Sequence, residues 1–251
     1  MFPIRDSIPT RQFPLVNCTL MGLNVLVFLV QISLDESQTD VWLRTWALVP
    51  AFFTDYGGAL PWTVYAPFLT NMFLHGGWLH LIGNVWTLYI FGDNVEDRMG
   101  RGPYLIFYLL CGLLASMTHY ITNQHSPLPA LGASGAIAGV MGAYMFMFPK
   151  SRVDMLIPIF YIPFFFQMAA FWYLGYWFVL QLINGALDAG ATATGGGVAF
   201  WAHIGGFVAG VLLYRVFRRK AYAEPDQWKT YKLDPRYMRR GRWEPRRWDN
   251  F

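Results

Sequence analysis

The sequence predicts an all-α polytopic membrane protein, a bundle of six membrane-spanning helices in which the fourth helix is short and buried. Of the 251 residues, 55% are hydrophobic and only 14% are charged, whereas charged residues make up about 25% of a typical soluble domain. Six apolar segments are long enough, or nearly so, to cross about 30 Å of hydrocarbon as helices. This composition excludes a disordered chain, a disulfide scaffold and most soluble enzymes.

The predicted spans occupy a membrane domain of residues 15–217, between an N-terminal segment, 1–14, and a basic tail, 218–251. The first span is followed by acidic residues and not by a small-residue cleavage site, which favours a retained helix over a signal peptide. The fourth covers only 15 residues and is expected to be surrounded by the others. The six spans are Leu15–Leu34, Phe68–Gly92, Pro103–Thr122, Ser134–Phe148, Pro163–Leu187 and Val198–Tyr214.

Two further features of the sequence suggest contact with the membrane and its surface. The stretch between Pro149 and Pro163 holds three charges and then turns apolar, which is typical of a loop that returns to the interface. Aromatic residues crowd the fifth span and predict contact with lipid and anchoring at the interface. These aromatic residues include Trp172, Tyr173, Tyr176 and Trp177.

The distribution of basic residues predicts the orientation. With six spans, both termini lie on one side of the membrane, and that side receives 18 of the 19 Lys and Arg residues. Only Arg44 falls on the other side. Because short cytoplasmic loops collect Lys and Arg, both termini are expected in the cytoplasm.

Strongly polar residues interrupt three of the spans. The second contains His75, His80 and Asn84, the fourth opens at Ser134, and the sixth contains His203. At 1.5 Å per helical residue, Ser134, His80 and His203 come to similar depths, roughly 10 Å below the outer surface. Polar groups at this depth are costly and mark functional sites.

Small residues spaced four apart explain how these helices could meet. Gly135 and Gly139 repeat on the fourth span, and Ala202, Gly206 and Gly210 repeat on the sixth. Such spacing lets membrane helices approach closely, because no side chain holds their backbones apart. The serine and histidine at the start of these two spans are therefore expected to face each other.

This arrangement is typical of nucleophilic catalysis. A serine that faces a histidine on a neighbouring helix suggests an activated nucleophile, Ser134, with His203 as its base. His80 and Asn84 lie four residues apart on one helix face and offer two hydrogen-bond donors for a developing oxyanion. A metal site built from the histidines is disfavoured, because His75 and His80 are five residues apart, lie on different faces and have no glutamate beside them.

The motifs resemble those of the rhomboid intramembrane serine proteases, over about residues 68–214. Any one of them is weak evidence, but all four occur in the family's order on the second, fourth and sixth spans. The first motif, His-x-x-x-Asn, runs from His80 to Asn84, with the upstream histidine at His75. The second, Gly-x-x-x-Glu-x-x-x-Gly, is formed by Gly92, Glu96 and Gly100, and the third, Gly-x-Ser-Gly, by Gly132-Ala133-Ser134-Gly135. The fourth, Ala-His-x-x-Gly-x-x-x-Gly, is formed by Ala202-His203, Gly206 and Gly210.

The resemblance implies a Ser-His dyad without a third carboxylate. Ser134 would be the nucleophile and His203 its general base, while His80, Asn84 and the Ser134 backbone N–H would form the oxyanion hole. It further implies single-span membrane proteins as substrates, cleaved near the outer leaflet, and a multi-pass location in a prokaryotic plasma membrane. No cofactor, metal or nucleic acid is expected. The alternative is a non-catalytic rhomboid-like scaffold that binds membrane helices.

Two departures from the family's pattern affect the surroundings of these residues. Many relatives carry Trp-Arg before the second span, where this chain has Ala66-Pro67, so the first loop is expected to be anchored differently. Many also carry an aromatic residue four positions after the serine, stacked on the histidine. Here that residue is Ala138, so another group must hold His203.

Overall fold

A computed structural model describes residues 1–55, 62–160, 162–188 and 198–219, and its chain is mostly helical. Three helices in these ranges are long and apolar enough to cross a membrane, namely α1, α6 and α9. Helix α7 is apolar but shorter, and its residues 135–145 are all buried, as expected of the fourth span. The helices are α1 Leu15–Ile32, α2 Glu36–Trp46, α3 Pro50–Asp55, α4 Pro67–Thr70, α5 Trp78–Met99, α6 Arg101–Thr122, α7 Ser134–Met147, α8 Ala170–Asp188 and α9 Phe200–Phe217.

Each of the six predicted spans contains a helix, and the successive helices α1, α5, α6, α7, α8 and α9 alternate in direction. The contacts of α7 show this most clearly. Its Gly139 approaches Cys111 of α6 and Gly206 of α9, while Phe146, two turns later, stacks on Tyr214 of α9 at a ring-centroid distance of 6.0 Å. Helices α7 and α9 are therefore parallel, and their N-terminal ends lie together.

Two span boundaries predicted from the sequence are wrong. Residues 68–77 of the second segment form the end of α4, a 3₁₀ turn and an extended stretch, so α5 begins only at Trp78. His75 thus precedes the helix. Residues 163–169 of the fifth segment belong to a strand, and α8 begins at Ala170.

A three-stranded antiparallel sheet is the main departure from the all-α prediction. Its strands are β1 Phe2–Asp6, β2 Arg152–Ile159 and β3 Ile162–Ala169, in the order β1-β2-β3. Strands β2 and β3 form a hairpin in the region interpreted as a loop returning to the interface, with Pro158 opposite Pro163. Isoleucine and phenylalanine favour strands, and proline disfavours a helix interior.

Glu96, near the end of α5, fixes α1 to α5. Glu96 is buried, and its carboxylate accepts hydrogen bonds from the backbone N–H groups of Val16 and Asn17 at 3.1 and 2.7 Å. These N–H groups belong to the first turn of α1, where no carbonyl of the helix can pair with them. A carboxylate there also stabilises the positive end of the helix dipole.

A cluster of polar groups holds β1 against the ends of α5 and α7. The Asp6 carboxylate accepts hydrogen bonds from the Tyr144 hydroxyl and, at 2.9 Å, from the Asn94 amide. Burial, opposed by the Tyr144 hydrogen bond and reinforced by the nearby Asp93 carboxylate, raises the pKa of Asp6 from 3.8 to about 7. The folded protein therefore binds a proton at Asp6 more tightly than the unfolded chain does.

Asp6→Asn is expected to change how stability depends on pH. Because the folded-state pKa of Asp6 is raised, its ionisation destabilises the fold progressively as the pH rises from about 4 to about 7, by at most roughly 4 kcal/mol. Asparagine mimics the protonated form and removes this loss, so the variant should gain stability relative to wild type across that range. Thermal unfolding of both proteins in detergent between pH 4 and pH 8 tests this, and parallel curves would contradict it.

Candidate active site

Ser134 and His203 meet at the N-terminal ends of two parallel helices. The Ser134 hydroxyl oxygen lies 2.7 Å from Nε2 of His203, which is hydrogen-bonding distance. Ser134 is the first residue of α7, and His203 lies in the first turn of α9, 69 residues later in the chain. The imidazole is 7% exposed, so bulk water competes little for this contact.

The glycines predicted to allow close packing form a backbone-to-backbone contact between α7 and α9. A Cβ atom on Gly206 would overlap the carbonyl oxygen of Gly135, and one on Gly210 would overlap the carbonyl oxygen of Gly139. A Cβ on Gly135 would also come within 2.6 Å of Ala115 on α6. These contacts set the helix separation at which the serine and the histidine can touch.

His80 and Asn84 converge beside Gly132, two residues before the serine. The Gly76 N–H donates to Nδ1 of His80 at 3.4 Å, which favours the neutral ring form with its proton on Nε2. That Nε2 lies 2.6 Å from the point where a Gly132 side chain would begin, and the Asn84 amide nitrogen lies 3.7 Å from it. The Asn84 nitrogen is buried and has no hydrogen-bond partner among the residues that the structure describes. Two donors thus flank the backbone that leads into Ser134.

Only glycine fits at position 132. Its φ of +125° is a conformation that side chains disfavour, and any Cβ would collide with the His80 ring. The Gly132 N–H donates to the Asn71 carbonyl at 2.9 Å, which holds the segment before α7 in place.

The second nitrogen of His203 contacts a residue that the sequence analysis misses. Nδ1 lies 2.8 Å from Oε1 of Gln181 on α8, and the Gln181 side chain is 8% exposed. The indole ring of Trp177, one turn earlier, lies 5.7 Å from the imidazole between ring centroids. These two residues hold His203 in place, since Ala138 has no aromatic ring that could stack on it.

The interpretation of the fifth span as lipid-facing is therefore only partly right. Trp172 and Tyr176 are 69% and 50% exposed, whereas Trp177 packs on His203, and Tyr173 stacks on Phe91 at 6.3 Å. A signal for the inward face was present in the sequence, because an amide side chain inside an apolar span is itself unusual. The buried residues of α8 are Ala170, Leu174, Gln181 and Gly185, which form a stripe at helical spacing.

His75 lies beside the site without contacting the dyad. The His75 side chain is fully buried. It packs edge-on against His80 at 5.2 Å, and Gln31 of α1 bonds its backbone N–H and carbonyl. Within the part of the chain that the structure describes, no three His, Cys, Asp or Glu side chains could share a metal ion.

A small cavity of about 20 Å³ lies behind Ser134. Polar groups of Asn71, Ser116 and His119 line it together with the serine. This volume is large enough for one water molecule, which needs about 10–15 Å³ and two or more polar partners. The cavity therefore has room for a water molecule next to Ser134.

The first loop is anchored through backbone contacts. Leu48 and Ala130 exchange two backbone hydrogen bonds, at 3.0 and 2.8 Å, which join the loop to the segment before Ser134. The Thr70 hydroxyl donates to the Trp46 carbonyl at 2.8 Å. Helix α4 begins at Pro67, so the Ala66-Pro67 pair forms a helix start.

Comparison with known proteins identifies the family. The family model described as the Rhomboid domain matches residues 61–220, which is more than half of the chain. The chain belongs to the rhomboid family. Together with its apolar helices, this makes it a multi-pass membrane protein.

Curated rhomboid relatives match shorter stretches. The rhomboid protease GluP of Bacillus subtilis is 38% identical over 84 residues, 34% of this chain and 16% of GluP. The putative rhomboid protease YdcA of Bacillus subtilis is 34% identical over 139 residues, 55% of this chain and 64% of YdcA. The mitochondrial presenilin-associated rhomboid-like protein of Mus musculus is 28% identical over 100 residues, 38% of this chain and 26% of that protein. The matches thus cover less than two thirds of the length of each of these relatives.

Proposed function

We propose that this rhomboid is an intramembrane serine endopeptidase that cleaves membrane-spanning helices. The observation that carries the proposal is the 2.7 Å contact between the Ser134 hydroxyl and Nε2 of His203. A serine hydroxyl is a weak nucleophile until a base within hydrogen-bond reach can take its proton. The names of two Bacillus subtilis relatives, which call them rhomboid proteases, support the same activity.

In this mechanism Ser134 attacks a peptide carbonyl of the substrate while Nε2 of His203 accepts the hydroxyl proton. The protonated histidine then gives this proton to the leaving amine, and an acyl-enzyme remains on Ser134. A water molecule, for which the cavity beside Ser134 has room, then attacks the acyl carbonyl while His203 takes its proton. His203 returns this proton to the Ser134 oxygen as the ester bond breaks, which releases the carboxylic acid product and restores the serine hydroxyl.

The oxyanion of each tetrahedral intermediate would be stabilised by three donors. These are Nε2–H of His80, the amide of Asn84 and the backbone N–H of Ser134. The Ser134 N–H lies at the N-terminus of α7, where the helix leaves its first N–H groups unpaired and carries partial positive charge. The unpaired Asn84 nitrogen supports this assignment, because an anion would satisfy it.

We place the six alternating helices across the plasma membrane of a prokaryote, with both termini in the cytoplasm. The distribution of Lys and Arg supports this orientation. Ser134 would then lie near the outer end of α7, and single-span membrane proteins would be cut within about 10 Å of their outer ends. Helix-breaking residues are expected at the cleaved bond, since an intact helix holds its carbonyls in its own hydrogen bonds.

Labelling with a fluorophosphonate probe tests the nucleophile without knowledge of the substrate. The reagent is expected to phosphonylate Ser134 in the purified, bilayer-reconstituted protein, and mass spectrometry of the peptide locates the adduct. His203→Ala should reduce the labelling rate strongly, because the base is lost. Chelators should have no effect. Absence of an adduct on Ser134, or equal labelling of the His203→Ala protein, would overturn the proposal.

A further inference from the structure

Gln181 on α8 lies on the side of His203 opposite the nucleophile. The imidazole is held between two partners, with Nε2 at 2.7 Å from the Ser134 hydroxyl and Nδ1 at 2.8 Å from Oε1 of Gln181. The Gln181 amide nitrogen is 3.4 Å from the Trp177 carbonyl of the preceding turn, to which it donates. Because the nitrogen has its own acceptor, the amide oxygen faces the histidine.

This geometry decides which ring nitrogen carries the proton. A neutral imidazole has one N–H donor and one acceptor nitrogen. An amide oxygen can only accept, so it favours the tautomer with the proton on Nδ1 and leaves Nε2 free to take the proton of Ser134. In soluble triads a carboxylate does this, but a buried carboxylate is costly at membrane depth, whereas an amide is neutral.

We infer that Gln181 is a positioning residue that sets the tautomer and the orientation of His203 for catalysis. The inference rests on the proposed function, because it concerns the base of that reaction. It also explains how His203 is held although this chain has Ala138 where many relatives carry an aromatic ring. The residue that holds His203 lies on α8 and not on α7. Gln181 acts through His203 and need not touch the substrate.

The test compares Gln181→Met, which keeps the length of the side chain but loses the strong acceptor, with Gln181→Glu, which retains one. Cleavage of a single-span substrate in bilayers is measured for both. For Gln181→Met we expect kcat to fall about 10- to 100-fold, with KM nearly unchanged. Gln181→Glu should recover most of this loss. Asn184→Leu, a polar-to-apolar change on the same helix, is the matched control and should cleave normally.

Two results would overturn the inference. One is a wild-type kcat for Gln181→Met, and the other is a Gln181→Glu protein as slow as Gln181→Met, since a purely structural role gives no rescue by an acceptor. Failure of the proposed function is distinguished by Ser134→Ala in the same assay. If that variant cleaves as wild type does, the serine mechanism itself is wrong.

The β2–β3 hairpin carries a second, independent observation. No charged residue occurs between Met155 and Ala169. Phe160 is 95% exposed and Ile162 73% exposed, and Phe164 and Phe165 of β3 are 52% and 62% exposed. Soluble surfaces seldom show so continuous an apolar patch, which is typical of a membrane or protein contact.

The continuity of the hairpin with α8 and the basic residues at its base identify lipid as the partner of its exposed apolar side chains. Strand β3 runs directly into α8, whose Trp172 is 69% exposed and belongs to the aromatic residues predicted to contact lipid. Lys150 precedes the hairpin and Arg152 begins its first strand; both are exposed, as expected of residues that bind phosphate headgroups. Since β3 is an edge strand with unpaired backbone groups, it cannot enter pure hydrocarbon.

We propose that the β2–β3 hairpin lies in the bilayer at the boundary of headgroups and acyl chains, in the leaflet where α7 ends. The test uses Ile162→Cys in a Cys18→Ala, Cys111→Ala background, labelled with an environment-sensitive fluorophore and reconstituted in phosphatidylglycerol and phosphatidylethanolamine vesicles. Lipids with a shallow nitroxide should quench the fluorophore, and aqueous iodide should not. Phe164→Cys gives a second position, and Lys150→Cys is the control expected to be open to iodide.

Quenching of both hairpin positions by iodide would overturn this proposal, because the hairpin would then lie in water. Protection of both positions from iodide and from lipid nitroxide would also overturn it, because protein would then cover the hairpin, as in pairing with a second copy.

Discussion

Ser134→Ala is expected to abolish cleavage while the protein remains folded. The substitution removes one hydroxyl from the start of a helix rich in small residues, so packing changes little. Loss of the nucleophile should lower kcat by about 10³-fold or more, since members of a catalytic unit act together. Cleavage of a single-span substrate in bilayers measures the loss, and thermal unfolding in detergent checks the fold.

Ser33→Ala is a matched control for this prediction. The Ser33 hydroxyl is exposed at the end of α1 and bonds only the Val30 carbonyl in the same turn. This variant should cleave at the wild-type rate. Undiminished cleavage by a folded Ser134→Ala protein would contradict the serine mechanism and favour a different nucleophile.

Gly210→Ala is expected to have a comparably large effect through the fold. A Cβ atom at this position would overlap the Gly139 carbonyl, and a backbone group cannot turn aside as a side chain can. Helices α7 and α9 must then move apart. The 2.7 Å contact between the Ser134 hydroxyl and His203 depends on the distance between these helices. A misplacement of about 1 Å can cost about 100-fold in rate, and overpacking costs about 1–3 kcal/mol or more in stability. Fluorophosphonate labelling and the melting temperature should both fall.

Gly22→Ala on α1 separates this clash from a general effect of replacing glycine. Nothing lies within 4 Å of the position that its Cβ would occupy. Alanine is the better helix former by about 1 kcal/mol, so this variant should be at least as stable as wild type and equally active. If Gly210→Ala behaves in the same way, the close approach of α7 and α9 does not set the dyad geometry.

The sequence predicts the residues of the candidate site better than it predicts the residues that contact them. Ser134 and His203 could be placed together because both follow from local patterns, a polar residue at membrane depth and small residues spaced four apart. Gln181 was missed because its partner lies on another helix, and only the packing of α8 against α9 shows which face of α8 turns inward.

The same reasoning explains the errors in the fold. Strand β1 pairs with β2 about 150 residues later, and no local pattern in 1–14 indicates such a distant partner. Hydropathy alone cannot distinguish a strand such as β3 from the start of a helix, because both are apolar. Residues 220–251 of the basic tail lie outside the described residues, so the assignment of this tail as a separate segment stays a prediction.

The parallel arrangement of α7 and α9 also has a consequence for biosynthesis. Ser134 emerges from the ribosome 69 residues before His203, which at about 5–20 residues per second is an interval of about 3–14 s. During that time Ser134 has no histidine beside it, because α9, which carries His203, has not yet been synthesised. On the proposed mechanism, the nascent chain therefore cannot cleave a substrate until α9 docks beside α7.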